Sequence, residues 1–372
     1  MTGAEIMLEE FMKNHVAVSS LESSDHAVRK DPKIITVTWF IGKRCNYDCS
    51  YCAPYLHDNY SPHILKQDAF NFIDQLEKYT LQQNKKFKIS ITGGEPFVHP
   101  QFFEILEYIK KKETLTQLSA VSNGSLPLDN YIKSSMYLTN ITISLHLEQI
   151  DSITNKTIDK IIELNKIESW FLNVNLMAFP GKFKIVKDTI EIFKKNNIKF
   201  VLRKINPPIN NPKDKINKGD IERILSEKKS FMTDKIKKKL SYTENLEIRY
   251  KSYYSTEELN FLSTHENNEQ WQNIKLYSPT ENIEKNTDEL IAKNLNSWKG
   301  WQCYIGIDSL YIQHNGMVFR GNCLQGGSIG KLGEKINWPK NPIVCPINWC
   351  TCNADMVVRK VKNTTYNKLI ND

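Results

Sequence analysis

The feature that most constrains this chain is a group of three cysteines, Cys45, Cys49 and Cys52, separated by three and then by two residues. It directly follows the apolar run 34–41, whose β-branched and aromatic residues predict a buried strand. In parallel α/β folds, the loops at the carboxyl ends of the strands carry the chemistry. Iron–sulfur clusters are normally held by four thiolates. Three close thiolates therefore predict a cluster with one iron left for a ligand that is not protein.

The same cysteines have two simpler interpretations. They could be buried structural residues, or a zinc site completed by His57. The eight cysteines fall into this early group and a late group of five, a distribution too sparse for a disulfide framework. Residues 1–30 lack the apolar segment of a signal peptide, and no run approaches 18 apolar residues. We therefore expect a cytoplasmic protein without a membrane span, in which clustered thiols bind metal.

The net charge of +8 permits an acidic partner without requiring one. Lysines alternate with acidic residues along the chain, as on solvated helix faces. Nucleic acid is therefore a weak candidate for a partner, supported by charge alone.

Six apolar runs alternate with helical patterns and predict a parallel sheet, which right-handed crossovers would curl. The strands are predicted at 34–41, 87–92, 118–122, 141–146, 171–177 and 199–205. Shifts in composition divide the chain into four parts. These are an arm (1–30), an α/β core (31–207), a polar helical insertion or linker (208–297) and a small cysteine-rich domain (298–372).

A second motif, Gly93-Gly94-Glu95-Pro96, ends the second predicted strand. Two glycines let a ligand approach the backbone closely, and the carboxylate of Glu95 can pair with an ammonium group. The alternative is an ordinary tight turn before a helix.

Taken together, the cysteine motif, with Tyr51 directly before its last cysteine, and the Gly93–Pro96 motif resemble the radical S-adenosylmethionine (SAM) superfamily over roughly residues 33–205. The resemblance implies a partial (β/α)6 TIM-type barrel. It also implies a 4Fe-4S cluster on the three cysteines, with SAM on its open iron and the ammonium of SAM on Gly94 and Glu95. A flavodoxin- or ferredoxin-type reductant would supply the electron that cleaves SAM to a 5′-deoxyadenosyl radical, which abstracts a hydrogen atom from the substrate.

Other polar residues near the ends of the predicted strands match the family's SAM contacts more weakly. By the resemblance, Ser122 and Asn123 lie near the adenosyl group, and Ser144 and His146 contact the ribose or the carboxylate. Asn173 and Asn175 share one face of their strand, and Arg203 could pair with the SAM carboxylate. The alternative for each residue is ordinary barrel packing.

The late cysteines surround a predicted β-hairpin. Asn315-Gly316 between two apolar runs is a strong hairpin signal, and the hairpin would bring Cys303 and Cys323 to the same end. A zinc ribbon is one interpretation. The group also resembles the SPASM or twitch auxiliary domains, and five cysteines favour the twitch-like form with one auxiliary 4Fe-4S cluster. The predicted ligands are Cys303, Cys323, Cys345 and either Cys350 or Cys352.

The predicted function is therefore radical SAM chemistry on a ribosomally made precursor peptide or a small metabolite such as a sugar or aminocyclitol. A separate peptide-recognition partner could present a peptide. The auxiliary cluster could accept an electron or anchor its domain. A zinc protein or a ferredoxin-like binding protein is the alternative of a different class. A ferredoxin would need four protein ligands for each cluster, and Gly93–Pro96 would then have no role.

Overall fold

The computed structural model of the protein describes residues 26–28, 33–52, 56–205, 253–265, 273–277, 282–287, 290, 295–350 and 352–362. Most of the predicted arm and of the predicted insertion lie outside these residues. The helices are α1 (Lys66–Gln82), α2 (Phe102–Lys110), α3 (Leu128–Ser134), α4 (Asp151–Leu164), α5 (Phe183–Lys195), α6 (Thr256–His265) and α7 (Asn353–Met356). The strands are β1 (His26–Val28), β2 (Ile34–Phe40), β3 (Lys86–Thr92), β4 (Leu115–Ser122), β5 (Asn140–His146), β6 (Phe171–Ala178), β7 (Phe200–Lys204), β8 (Asn273–Tyr277), β9 (Asn282–Asn286), β10 (Gln302–Cys303), β11 (Ser309–Ile312), β12 (Met317–Phe319), β13 (Ser328–Lys331), β14 (Ile343–Val344) and β15 (Lys360–Val361).

The predicted α/β class is confirmed. The six predicted strands are β2 to β7, and they pair in parallel and in sequence order. The helices α1 to α5 connect them. The sheet is open, ending at β7 on one side, which is the arrangement of a partial barrel. Helix α3 was not predicted, because its seven residues are too few to show a helical period.

The parallel strands present two different faces. On β2, the buried residues Ile35, Val37 and Trp39 alternate with half-buried ones, and Trp39 packs edge-on against Phe72 of α1. On β5 and β6 the buried positions are apolar too, whereas most of the half-buried positions are polar. These half-buried polar residues are Asn140, Thr142, Ser144, His146, Asn173 and Asn175. The helices therefore cover an apolar face, and the opposite face is a polar wall for a site.

The predicted hairpin is confirmed, and it belongs to the barrel sheet. Strands β11 and β12 pair antiparallel around the turn at Gly316, whose φ is 82°. Strand β11 also pairs in parallel with β2, with Tyr311 opposite Thr38. The sheet order is thus β13-β12-β11-β2-β3-β4-β5-β6-β7. Hydrogen bonding therefore crosses residue 298, where composition predicted a boundary.

A second sheet joins distant parts of the chain. Its order is β14-β10-β15-β1-β8-β9, which combines strands from the predicted arm, the predicted insertion and the carboxyl-terminal part. The insertion was predicted to be helical, and its described residues contain strands β8 and β9 beside helix α6. Polar composition did not reveal these strands because their pairing partners lie far away in the sequence. In the part of the chain that is described, no helix has the length and apolar character needed to cross a membrane.

A buried ion-pair network joins the start of β3 to the carboxyl-terminal region. The carboxylate of Asp308 is 7% exposed and lies 2.9 Å from Lys85 Nζ and 3.1 Å from Arg359 Nε. The backbone carbonyl of Asp308 also accepts a hydrogen bond from Thr36 N, at 3.0 Å. One carboxylate therefore neutralises two largely buried cations from opposite ends of the sequence.

We expect the Asp308→Asn substitution to destabilise the fold. Asparagine keeps the size of the side chain but leaves two cations without an anion, and breaking a buried pair in this way costs about 3 kcal/mol. The midpoint of thermal unfolding should fall by about 5–10 °C. The matched control is Glu107→Gln, which removes an exposed pair with Lys111 and should leave the midpoint of thermal unfolding close to that of the parent. Equal midpoints for the two variants would contradict the prediction.

Candidate functional site

The Gly93-Gly94 turn holds the cysteine loop by direct contact between two backbones. Gly94 N donates to the carbonyl oxygen of Gly42, and Glu95 N donates to that of Arg44, both at 2.8 Å. A Cβ built on Gly94 would lie 2.3 Å from the carbonyl oxygens of Lys43 and Arg44, and one on Gly93 would lie 2.6 Å from that of Gly42. The sequence predicted that these glycines admit a ligand. The structure shows that they admit the loop that carries Cys45, and the approach of a ligand stays a prediction.

The carboxylate of Glu95 connects this turn to the turn after β4. It is 2% exposed and accepts hydrogen bonds from Asn123 N at 2.6 Å, from Ser122 Oγ at 2.9 Å and from Phe97 N at 3.1 Å. Two predicted site residues, Ser122 and Asn123, are therefore brought to the Gly93–Pro96 turn. The contact between Glu95 and an ammonium group stays a prediction, since the structure places three internal donors on this side chain.

Burial raises the pKa of Glu95 to about 7, although its three hydrogen-bond donors and the charge of Lys160 act in the opposite direction. Lys160 is held nearby by the carbonyl oxygens of Gly124 and Leu126. Glu95 therefore binds a proton more tightly in the folded chain than in the unfolded chain, where its pKa is near 4.5.

This difference predicts that stability falls as pH rises. The contribution of Glu95 to the free energy of unfolding is fully present below about pH 4.5 and is lost as pH rises through about 7. This contribution amounts to about 3 kcal/mol. Glu95→Gln removes the titration. We expect the thermal midpoint of the parent protein to fall relative to that of the variant between pH 5 and pH 8. Midpoints that run parallel over this range would contradict the raised pKa.

Cys45 lies among backbone and amide donors. Tyr47 N lies 3.4 Å and Asn123 Nδ2 3.8 Å from Cys45 Sγ. Asn123 Nδ2 also donates to Asn46 Oδ1 at 2.9 Å, and Asn46 Nδ2 donates to Ser125 Oγ at 2.8 Å. The turn after β4 thus holds the cysteine loop from a second side. Asn46 was missed by the sequence analysis, because a single asparagine between two cysteines carries no motif.

Cys49 lies against His146 at the end of β5. His146 Nδ1 lies 3.6 Å from Cys49 Sγ and is hydrogen-bonded to the hydroxyl of Tyr51. The ring of Tyr51 stacks on His146, and the ring of Tyr47 meets it edge-on. Burial lowers the pKa of His146 to about 4, so that the ring is neutral near pH 7. The predicted contact of His146 with SAM stays a prediction, and its observed partners are in the cysteine loop.

The three thiols lie in surroundings that favour a positively charged ligand. Burial raises the pKa of Cys45, that of Cys49 to about 12 and that of Cys52 to about 11. Nearby carboxylates, including Glu95 and Glu148, raise these values further. Metal ligands must be deprotonated, so thiolates here need the compensating charge of a bound metal group. The donor set and its charge therefore fit an iron–sulfur cluster.

A site for a single metal ion would need a different arrangement of ligands. Among the described residues, no three His, Cys, Asp or Glu side chains are gathered so as to hold one metal ion. A structural zinc ion would need four ligands at about 2.0–2.3 Å. The cluster interpretation therefore rests on the cysteine spacing and on the comparison with known proteins below.

Three further predicted residues form a polar row across β5, β6 and β7. Asn175 Nδ2 donates to Ser144 Oγ at 3.5 Å, and Arg203 Nε donates to Asn175 Oδ1 at 3.2 Å. All three are half-buried on the polar face of the sheet. The row therefore lies on the same wall as His146.

The late cysteines also converge. Cys303, Cys345 and Cys350 are buried in one apolar cluster, and Cys323 packs against it. Cys323 lies close enough to Cys303 and Cys350 for their charges to raise its pKa, and the charges of Cys352 and Cys303 raise the pKa of Cys350 in the same way. These electrostatic interactions connect Cys303, Cys323, Cys350 and Cys352. The ligand set predicted from the sequence contained Cys345 and only one of Cys350 and Cys352. The identity of the four ligands stays a prediction.

Comparison with known proteins gives a family match for part of the chain. Residues 39–214 match the model of the radical SAM superfamily. GTP 3′,8-cyclase of Haemophilus ducreyi is 29% identical over 153 residues, which are 40% of this chain and 42% of that protein. GTP 3′,8-cyclase of Microcystis aeruginosa is 36% identical over 129 residues, 32% of this chain and 35% of that protein. The chain thus spans less than half the length of these curated relatives.

Two solved structures are similar at a lower level. The structure of native anSMEcpe with bound AdoMet has a TM-score of 0.44 and 12% identity, and the match covers 82% of this chain and 79% of that one. Streptococcus suis SuiB bound to the precursor peptide SuiA has a TM-score of 0.46 and 12% identity, covering 92% and 69%.

Proposed function

We propose that residues 39–214, which match the model of the radical SAM superfamily, are the core of a SAM-dependent enzyme that abstracts a hydrogen atom from a peptide or a small metabolite. The observation that carries the proposal is the backbone contact between the Gly93-Gly94 turn and the loop of Cys45. It holds the two motifs of the superfamily against each other through backbone hydrogen bonds. A 4Fe-4S cluster bound there would supply the electron that cleaves SAM to methionine and a 5′-deoxyadenosyl radical.

The chain's own residues would hold that cluster and shield it. Cys45, Cys49 and Cys52 would be its thiolate ligands. Asn123 would donate to the sulfur of Cys45, as its present distance of 3.8 Å supports. Tyr51 and His146 would cover the side of Cys49 and limit the access of water, since both rings are half-buried and stacked on each other.

SAM would lie along the polar wall of the sheet. The backbone of the Gly93–Glu95 turn would meet the ammonium group, because the Glu95 carboxylate already accepts three internal hydrogen bonds. Arg203 would pair with the carboxylate of SAM while Asn175 orients the guanidinium, a role supported by their 3.2 Å hydrogen bond. Ser144 and Ser122 would be the polar contacts nearest the ribose and the adenosyl group.

The late cysteines would hold one auxiliary 4Fe-4S cluster. Their mutual proximity supports Cys303, Cys323, Cys350 and Cys352 as its ligands. A flavodoxin- or ferredoxin-type protein would be the electron donor, and a separate recognition protein could present a peptide substrate.

The substrate is the part of the proposal that needs its own experiment. The matched segments of the GTP 3′,8-cyclases cover less than half of those enzymes, so GTP is one test compound beside peptides, sugars and aminocyclitols. With the reduced enzyme under anaerobic conditions, a deuterated substrate should transfer deuterium into 5′-deoxyadenosine. Nucleic acid that transfers deuterium while the other classes do not would overturn the proposed substrate class.

A further inference from the structure

A lysine lies fully inside the domain that carries the late cysteines. Lys360, on β15, is 1% exposed. Its ammonium donates to the carbonyl oxygens of Asp355 at 2.7 Å and of Met356 and Val358 at 2.9 Å. All three acceptors are neutral. A structural role is evident, since these carbonyls end the short helix α7 that follows Cys352.

Capping does not explain why a full charge lies here, because a buried ammonium is costly unless an anion compensates it. Two kinds of anion lie near it: the carboxylate of Asp355, whose pKa the charge of Lys360 lowers, and the late thiols in their deprotonated form. Lys360 is the Cα partner of Cys303 across β10 and β15, and its charge lowers the pKa of both Cys303 and Cys350. The ammonium therefore lies near Cys303 and Cys350.

Other donors and one carboxylate surround the same thiols. Asn322 Nδ2 donates to Cys352 Sγ at 3.1 Å. Among the described residues, Trp298 Nε1 is buried without a hydrogen-bond partner, and its ring lies 5.4 Å from the ammonium of Lys360. The opposing charge is Asp355, a buried carboxylate that accepts hydrogen bonds from Cys323 N at 2.6 Å and Asn322 N at 3.1 Å. The thiols thus have one buried cation and one buried anion near them, and these two charges also interact with each other.

We propose that Lys360 raises the reduction potential of the iron–sulfur cluster held by the late cysteines, and that Asp355 lowers it. The inference rests on the proposed function, which supplies the cluster. A four-iron cluster with four thiolates is an anion, and it becomes more negative when it gains an electron. A fixed positive charge therefore stabilises the reduced state more than the oxidised state, and net charge and hydrogen bonds at sulfur are established controls of such potentials.

The test isolates the auxiliary cluster in the full-length chain. Replacing Cys45, Cys49 and Cys52 by alanine removes the front cluster, and the midpoint potential is then followed by redox titration with electron paramagnetic resonance. In that background, Lys360→Met should make reduction about tenfold less favourable, a shift of about −59 mV for one electron. Asp355→Asn should shift the potential in the positive direction, and Lys360→Arg should keep the parent value.

The controls separate charge from packing. Lys112→Met removes a largely buried lysine that pairs with Asp74 and Glu77 on the outer helical layer, and it should leave the potential unchanged. Shifts of opposite sign for Lys360→Met and Asp355→Asn support the inference. An unchanged potential in Lys360→Met, or shifts of the same sign in both variants, would overturn it.

The iron content of the background protein distinguishes a failure of the proposed auxiliary cluster from a failure of the role inferred for Lys360. If the background protein binds no iron, the auxiliary cluster itself is wrong and the inference falls with it. If the background protein binds about four irons and Lys360→Met does not, Lys360→Arg must restore both the iron and the parent potential. If the midpoint potential of Lys360→Arg differs from that of the parent, the charge of Lys360 does not set the potential.

Discussion

Replacing Cys45, Cys49 and Cys52 together by alanine is expected to abolish the cleavage of SAM. The three thiols are the proposed ligands of the cluster that delivers the electron, and among the described residues no other cysteine belongs to this loop. The anaerobic, dithionite-reduced parent should convert SAM to 5′-deoxyadenosine and methionine. The variant should give no product above the protein-free background.

Iron analysis makes the same prediction independently of turnover. Two four-iron clusters give about eight irons per chain, and the variant should keep about four. The control is Ser50→Ala in the same loop. The exposed side chain of Ser50 is removed there, while its backbone N–H still donates to Glu148. This control should match the parent in iron and in product. Persistent 5′-deoxyadenosine from the triple variant would refute the assigned site.

The barrel could be predicted from the sequence because its signals are local. Each of the strands β2 to β7 is a short run of apolar, β-branched residues, and helices or turns separate the runs. The cysteine motif and the Gly93–Pro96 motif each follow such a strand. The carboxyl ends of neighbouring parallel strands meet at one edge of a sheet, so their proximity follows from order alone. The hairpin at Gly316 was predictable for the same reason, since its turn residues are adjacent.

The second sheet could not be predicted, because its pairings are not local. Strand β1 pairs with β15 and β8, placing His26 opposite Val361 and Tyr277. These strands have two to five residues, too few to display an alternating pattern. Composition instead divided their residues among an arm, an insertion and a cysteine-rich domain.

In the site, the sequence predicts which residues carry suitable side chains, but it does not predict which residues they contact. Sequence identified Glu95 as a candidate ligand for an ammonium group, which is a reasonable role for an isolated carboxylate. It could not reveal that Ser122 and the backbone of Asn123 would occupy that carboxylate, since these residues lie 27 and 28 positions further along the chain. Likewise, the contact of Asn46 with Asn123 depends on the fold and not on either residue's neighbours.

Gly94→Ala is expected to have the second largest effect, through the position of the cysteine loop. The new Cβ would lie 2.3 Å from the carbonyl oxygens of both Lys43 and Arg44. Backbone atoms cannot rotate away as a flexible side chain can, so the loop that leads to Cys45 must move. A displacement of about 1 Å at a reacting centre can lower a rate about 100-fold. We therefore expect SAM cleavage to fall at least about 100-fold, with loss of iron from the front cluster.

The residue that Gly94 contacts, in the loop that leads to Cys45, provides the matched control. Gly42 accepts the hydrogen bond of Gly94 N through its backbone, yet a Cβ on Gly42 would meet no atom within 4 Å. Gly42→Ala should therefore keep the parent's iron content and thermal midpoint, whereas Gly94→Ala should retain only the irons of the auxiliary cluster. Equal iron in the two variants would mean that the cysteine loop does not depend on the glycine turn. In that case the two motifs would act separately, and the physical basis proposed here for their joint occurrence would be wrong.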